Sequence, residues 1–323
     1  MTFKLPALPS AKANIQELAD YAELVAWEQG SVSQREIVAY LGRVDDNDSD
    51  IGCNDDEDEN TELLDDVMLE LDRRLIECRG GYPFDLLSEG TLLKFLSKKS
   101  GSLQSTVYRY LLLSTRLDMS ANNVHRGIDG CHLLELLAVH VLKVYLGKRA
   151  KACVFGTSAK GNFEARVSRL CADLREGVRF RNPDNIPPRA KDDKLDAVAW
   201  IPFRDGLPGQ LIVFGQCKTG TNWGDDVSQL QPIDFINKWI EFPFLVPPVR
   251  AFCVSESADR QTWRGTSLST GILFDRCRMV DLCKGFNFSE TKKWTEAAKK
   301  SVKLVRVAAR KKSRSRRRKI QRA

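Results

Sequence analysis

The chain has 323 residues, 42% of them hydrophobic and 29% charged, and no apolar run approaches the roughly 18 residues that would suggest a membrane span. That length suffices for two domains with cores of their own, or for one large domain with appendages. The formal charge of +7 conceals an asymmetry: residues 306–323 carry ten Lys or Arg and no acid, which leaves the other 305 residues at −3.

Nine cysteines occur without a CxxC pair, which argues against a disulfide framework or a zinc knuckle and for buried thiols. His125, His132 and His140 lie too far from any useful cysteine pair for a recognisable metal site, so packing or surface roles are expected for them. The opening residues, MTFKLPALPSAKAN, contain no apolar stretch of the length a secretory signal needs, and a cytoplasmic location is expected.

From Asn14 to Arg43 the apolar spacing is helical, and SVSQREIVAYLG carries a capping box with Ser33 as N-cap and Glu36 three residues on. The next stretch, residues 45–66, holds twelve acids and no base, which predicts a solvated loop running into a helix near Thr61. Asp46, Asp48, Asp50 and Glu57 match positions of a calcium loop, but Ile51 stands where the sharp turn calls for Gly, so the match is read as chance. The segments ELLDDVMLELDRRLIECR, TLLKFLSKK and STVYRYLLLSTRLDM extend the helical pattern. They predict an α-helical interaction or sensing module over residues 1–123.

The texture then changes. CHLLELLAVHVLKVYLG is apolar on nearly every side, hence a buried helix, and ACVFG reads as a short strand before the amphipathic helix NFEARVSRLCADLRE. KLDAVAWIPF, QLIVFGQCK and VRAFCVSES are strands, with a helix in DDVSQLQPIDFINKWIEF between the last two and a further strand in ILFDRCRMVDL. Strands alternating with helices predict a mixed α/β sheet domain over residues 124–288, followed by a helix and a basic tail over 289–323.

Within that domain Asp196 opens one strand and Gln216, Cys217 and Lys218 close the next. Side chains alternate faces along a strand, so Gln216 and Lys218 share a side while Cys217 packs on the other. If the strands are hairpin neighbours joined through DGLPG at 205–209, a carboxylate, an amide oxygen and an ammonium come together. Such a set can hold a divalent cation and a water beside a phosphate.

KDDKLDAVAWIPF, LIVFGQCKTG and the order of elements around them resemble the PD-(D/E)xK nuclease superfamily, in particular the restriction-endonuclease-like, Mrr-type variant with Gln in place of the second acid. The resemblance covers about half the chain. It implies an α/β fold with a mixed sheet flanked by helices, preceded here by the helical module, and Mg²⁺- or Mn²⁺-dependent hydrolysis of DNA phosphodiesters. It implies Asp196 as principal metal ligand, Gln216 as a second, the carbonyl of Cys217 as a third, and Lys218 as the residue that positions water and offsets charge on the phosphate.

The Gln variant carries less negative charge, which raises the value of a further acid from a preceding helix. Glu135, alone in an apolar helix, is preferred, with Glu164 in the first turn of the next helix as the alternative. Asp192 and Asp193 are expected to be solvated turn residues. Trp223 and Gln229 are expected either to line a substrate channel or to pack.

Double-stranded DNA is the expected partner. Lys191 and Lys194 are suited to phosphate contact, as are Arg310, Lys311, Lys312, Arg314, Arg316, Arg317 and Arg318 of the tail. The resemblance further implies bacterial defence against foreign DNA, with any helicase or ATPase supplied by another chain, since no Walker-type loop occurs here. The rival expectation is a non-catalytic nucleic-acid-binding or assembly protein on a nuclease-like fold.

Overall fold

The computed structural model describes residues 13–41, 55–99, 101–156, 161–185, 187 and 193–301; for 38–41 and 55–62 it describes the backbone alone. The core of the acidic loop, Asp46, Asp48 and Asp50 with it, lies outside the described residues. So do Lys191, Asp192 and the tail from Arg310 to Arg318. The chain divides into two compact units, residues 1–128 with 287–323 and residues 129–286. No helix among the described residues is long and apolar enough to cross a membrane.

The first unit contains α1 (Ile15–Gln29), β1 (Ser31–Ser33), α2 (Gln34–Leu41), α3 (Asp55–Glu77), β2 (Phe84–Leu87), β3 (Leu92–Phe95) and α4 (Leu103–Arg116), with a further helix over residues 289–301. The capping box forms: Ser33 N donates to Glu36 Oε2 at 2.8 Å, and Glu36 N donates to Ser33 Oγ at 3.3 Å. An all-helical module was expected, but β1, β3 and β2 form an antiparallel three-stranded sheet. The hairpin between β2 and β3 turns at Ser88, Glu89 and Gly90, all with positive φ. Four-residue apolar runs such as LLKF carry no period long enough to separate strand from helix, and the cross-strand partners decide.

This unit buries a charge network. Arg74, wholly buried, reaches Asp20 at 2.7 Å, Glu23 at 3.0 Å and Glu70 at 2.7 Å. Arg116 takes the other oxygen of Asp20 at 2.7 Å, and the hydroxyls of Tyr82 and Tyr108 donate to Glu23 at 2.8 and 2.7 Å. Desolvated charges are tolerated here because each meets several hydrogen-bonding partners.

A short ribbon, β4 (Val124–His125) and β5 (Ile128–Asp129), leads into the second unit. There α5 (Gly130–Leu146) precedes β6 (Lys151–Val154), α6 (Phe163–Leu174), β7 (Ala197–Ile201), β8 (Leu211–Lys218), α7 (Pro232–Trp239), β9 (Val249–Val254), α8 (Trp263–Thr270), β10 (Ile272–Phe274) and α9 (Arg276–Leu282). The five strands make one mixed sheet in the order β10-β9-β8-β7-β6: β6, β7 and β8 are antiparallel neighbours, while β8, β9 and β10 are parallel.

Period-two alternation gives the sheet two apolar faces. Val198 and Trp200 of β7 and Ile212 and Phe214 of β8 meet Val167, Leu170 and Leu174 of α6 and Phe235, Ile236 and Trp239 of α7. Ala197, Ala199, Val213 and Gly215 carry small side chains on the opposite face, where α5 packs, and the Leu142 methyl would stand 3.2 Å from a Cβ at Gly215. Helices thus cover both faces. α5 packs on the sheet and against α9 but leaves Val144 and Tyr145 exposed, so it is less enclosed than its composition predicts. The strand expected in ILFDRCRMVDL is confined to Ile272–Phe274, because Asp275 caps α9 by accepting from Arg278 N.

Candidate metal centre

Asp129 caps α5 by accepting from Cys131 N and His132 N at 2.8 and 3.4 Å, which sets Glu135 in the second turn. The Glu135 carboxylate, 8% exposed, lies 3.3 Å from His132 Nδ1 and directly against the exit of β6. A Cβ on Gly156 would stand 2.6 Å from its Oε1, so only glycine lets the carboxylate approach so closely.

Asp196 immediately precedes β7, and the backbone of three strands meets on it. Its N–H donates to Gly215 O at 2.9 Å, and its carbonyl accepts from Phe155 N at 2.8 Å and Gly156 N at 3.0 Å. Its side chain then replaces a ladder acceptor: Cys217 N donates to Asp196 Oδ2 at 2.7 Å. The carboxylate therefore lies alongside the end of β8, level with Gln216 to Lys218. The carbonyls of Phe155 and Gly156 are held in turn by Arg166 of α6, whose Nη1 reaches them at 2.7 and 2.6 Å while its guanidinium lies over the Phe155 and Phe163 rings.

Gln216 is wholly buried, and among the described residues neither its Oε1 nor its Nε2 has a hydrogen-bond partner. Each unsatisfied buried donor or acceptor costs about 1–3 kcal/mol, so such a group calls for a partner, a water or an ion among them. On the other side of β8 the Cys217 thiol faces Cys253. The hydrogen bond that its S–H donates to Cys253 comes first among the causes that hold it well above the usual thiol range, followed by burial, the Cys253 sulfur and the nearby carboxylates of Asp196 and Glu135. Burial also pushes the Cys131 thiol up to about 11, with Asp129, Glu135 and Asp196 adding to the shift. Both thiols thus sense Glu135 and Asp196 together.

Lys218, on the Gln216 side of β8, is ion-paired with Asp226 at 2.7 Å, and both side chains are a quarter exposed. Asp226 ends the 3-10 turn Asn222–Asp226, and its second oxygen accepts from Gln229 Nε2. Gln229 Oε1 is buried with no partner among the described residues. Trp223 packs on Phe252 and Val254 and donates to Glu256 at 2.7 Å, so it is a core residue.

The structure brings the Asp196 carboxylate to the Cys217 N–H and sets Glu135 against Gly156, whose N–H bonds to Asp196 O; α5, with Glu135, packs on the Cys217 face of the sheet, and Gln216 and Lys218 lie on the other. Glu164 is exposed in the first turn of α6, where the helix dipole favours an acid. Asp193, expected to be solvated, is 7% exposed and accepts from Trp239 Nε1 at 2.7 Å. It and half-buried Lys194 adopt φ of 48° and 72°, a left-handed pair that costs about 1 kcal/mol or more per residue.

Sequence reasoning missed Asp226 and Arg166. The acid pair in GDDVSQL, eight residues beyond Lys218, was the available signal for the first. Nothing in the sequence distinguishes Arg166 from other helix-surface arginines. No protein-family model, no curated protein and no solved structure matches this chain.

Proposed function

We propose that this chain is a metal-dependent deoxyribonuclease of the PD-(D/E)xK type acting on double-stranded DNA. The observation that carries the reading is that the Asp196 carboxylate accepts from Cys217 N at the end of β8, next in sequence to Gln216, whose wholly buried amide has no hydrogen-bond partner among the described residues. The donor set fits a hard divalent cation, Mg²⁺ or Mn²⁺: the Asp196 carboxylate, the Gln216 amide oxygen, the Cys217 carbonyl and, from α5, Glu135. A carboxylate has about four acceptor lone pairs, so the Cys217 N–H does not exhaust Asp196. Glu135 is preferred to Glu164 because its carboxylate lies against Gly156, whose N–H bonds to Asp196.

When bound, the cation lowers the pKa of a coordinated water and polarises the scissile phosphate. The residues of the chain orient and balance charge. Lys218, held by Asp226, offsets the charge that builds on the phosphate oxygens. Arg166 and the β6 exit fix the backbone from which Asp196 projects. The basic residues of the tail add sequence-independent attraction for the duplex. Defence against foreign DNA beside a separate helicase or ATPase is the biological setting that the resemblance favours.

Incubation of the purified protein with supercoiled plasmid and Mg²⁺ or Mn²⁺ tests the reading. Nicking or linearisation is expected, with a loss of at least about 100-fold in Asp196→Ala and Lys218→Ala. The second reading, a DNA-binding protein that does not cleave, draws on the ion pair that already balances Lys218. Plasmid retained on the protein but uncut with either metal would replace the first reading by the second.

A further inference from the structure

A cavity of about 450 Å³ opens at the far end of the β6–β7 pair from Asp196. The two ends are separated by the length of β7, roughly 16 Å for a five-residue strand. Its lining includes Arg149, Lys151, Arg175 and Arg204 with a single carboxylate, Asp173. All four cations are exposed, and among the described residues none of them has an ion-pair partner. Uncompensated like charges around a concave space repel one another, and an anion between them relieves that repulsion.

The walls are built by hydrogen bonds between elements. Arg149 Nη2 donates to Pro202 O at 3.1 Å, and Gly209 N donates to buried Glu176 at 2.6 Å. Gln210, 3% exposed, donates to Leu174 O and so ties the β7–β8 hairpin to the end of α6. At Gly206 any Cβ would collide with the Arg175 guanidinium, so the glycine lets that cation lie across the hairpin. Phe203, 53% exposed, completes the rim with an open aromatic ring.

We infer that this cavity is a nucleotide-phosphate site: its cations take the phosphate groups and Phe203 stacks on the base. The volume lies in the range of small-ligand pockets. The inference does not rest on the nuclease reading.

Binding of ATP, inorganic pyrophosphate and a short labelled single-stranded oligonucleotide is measured by titration in EDTA, which keeps the candidate metal centre empty. The variants are Lys151→Glu with Arg204→Glu, Phe203→Ala and, as control, Lys284→Glu, an exposed cation outside the cavity. The charge-reversed pair is expected to weaken phosphate-bearing ligands at least about tenfold, with Lys284→Glu unchanged. Phe203→Ala is expected to weaken ATP but not pyrophosphate. Loss confined to ATP and pyrophosphate identifies a free nucleotide as the occupant; loss confined to the oligonucleotide identifies a strand. Equal affinity of wild type and the charge-reversed pair for all three probes, with an unchanged melting temperature, overturns the inference.

Discussion

Replacing Gln216 by Met keeps the length of the side chain and removes both polar atoms. The amide is wholly buried with neither atom partnered among the described residues, which costs about 1–3 kcal/mol per group. A near-isosteric linear replacement forfeits less than about 1.5 kcal/mol in packing. The variant is therefore expected to be more stable than wild type by about 2 kcal/mol, or about 4–8 °C in the melting temperature of a unit of this size, while losing cleavage. Thermal melts in EDTA and then with excess Mn²⁺ read both parts. In wild type, metal at ten times its Kd adds about 1.4 kcal/mol of stability, and the variant should forgo most of that gain. A Gln216→Met protein less stable than wild type in EDTA, with an undiminished response to Mn²⁺, would mean that the amide already has its partners and that no ligand is owed to it.

Gly156→Ala drives a Cβ into Glu135, and because the clash is with the end of a flexible side chain the cost in stability should stay under about 1 kcal/mol. Calorimetric Mn²⁺ affinity should nevertheless fall about tenfold, and the effect should vanish in a Glu135→Ala background. Asp226→Asn removes the counter-charge of Lys218. For a part-exposed pair the stability change is within about 1 kcal/mol, whereas plasmid cleavage should slow about tenfold as the ammonium loses its anchor. Arg74→Met leaves Asp20, Glu23 and Glu70 without their shared cation, at about 3–5 kcal/mol near pH 7 by denaturant titration. Burial pushes the Glu70 carboxyl up, but Arg74 and Arg73 outweigh it and hold the group below its usual 4.5. Its contribution is thus present above that pH and lost as pH falls through the folded value, so the gap between variant and wild type should narrow in acid. Iodoacetamide at pH 8 should spare Cys131, Cys153 and Cys171, whose thiols burial pushes up to about 11, 11 and 12. Rapid labelling of Cys131, measured by mass spectrometry, would show that the first turn of α5 opens.

The strands of the second unit were legible because Ala197–Ile201, Leu211–Lys218 and Val249–Val254 are apolar runs set off by turn residues, and the hairpin through DGLPG follows from its glycines. Gln216 and Lys218 could be paired from spacing alone, since the two-residue period is local. The sheet of the first unit was not legible. Ser31–Ser33 is too short to carry a pattern, and its pairing with Leu92–Lys94 joins residues about sixty positions apart. Asp226 and Arg166 escaped for a related reason: an ordinary acid and an ordinary arginine acquire their roles from what lies across the fold. Asp193 read as a solvated turn residue because the indole that receives its carboxylate, Trp239, lies forty-six residues away.

The helix between β6 and β7 looks like an interruption of the candidate catalytic core, yet it supplies the part that a two-motif reading lacks. Asp196 stands outside the regular pairing of β7, and a residue at a strand end is ordinarily free to fray. Here its carbonyl is held by two amides of the β6 exit, and the carbonyls of those same residues are held by Arg166 from α6. Removing Arg166 would leave two buried carbonyls unsatisfied without touching any candidate ligand. The carboxylate would then lean more heavily on the bonds to β8, Asp196 N–H to Gly215 O and Cys217 N–H to Asp196 Oδ2. A centre that relies on an uncharged amide where a second acid might stand has little electrostatic attraction to spare. It has correspondingly more to gain from ligands fixed before the cation arrives. On that argument Arg166→Met should weaken Mn²⁺ binding through a faster off-rate while the ligand set stays intact. Stopped-flow release of the metal separates that outcome from simple unfolding.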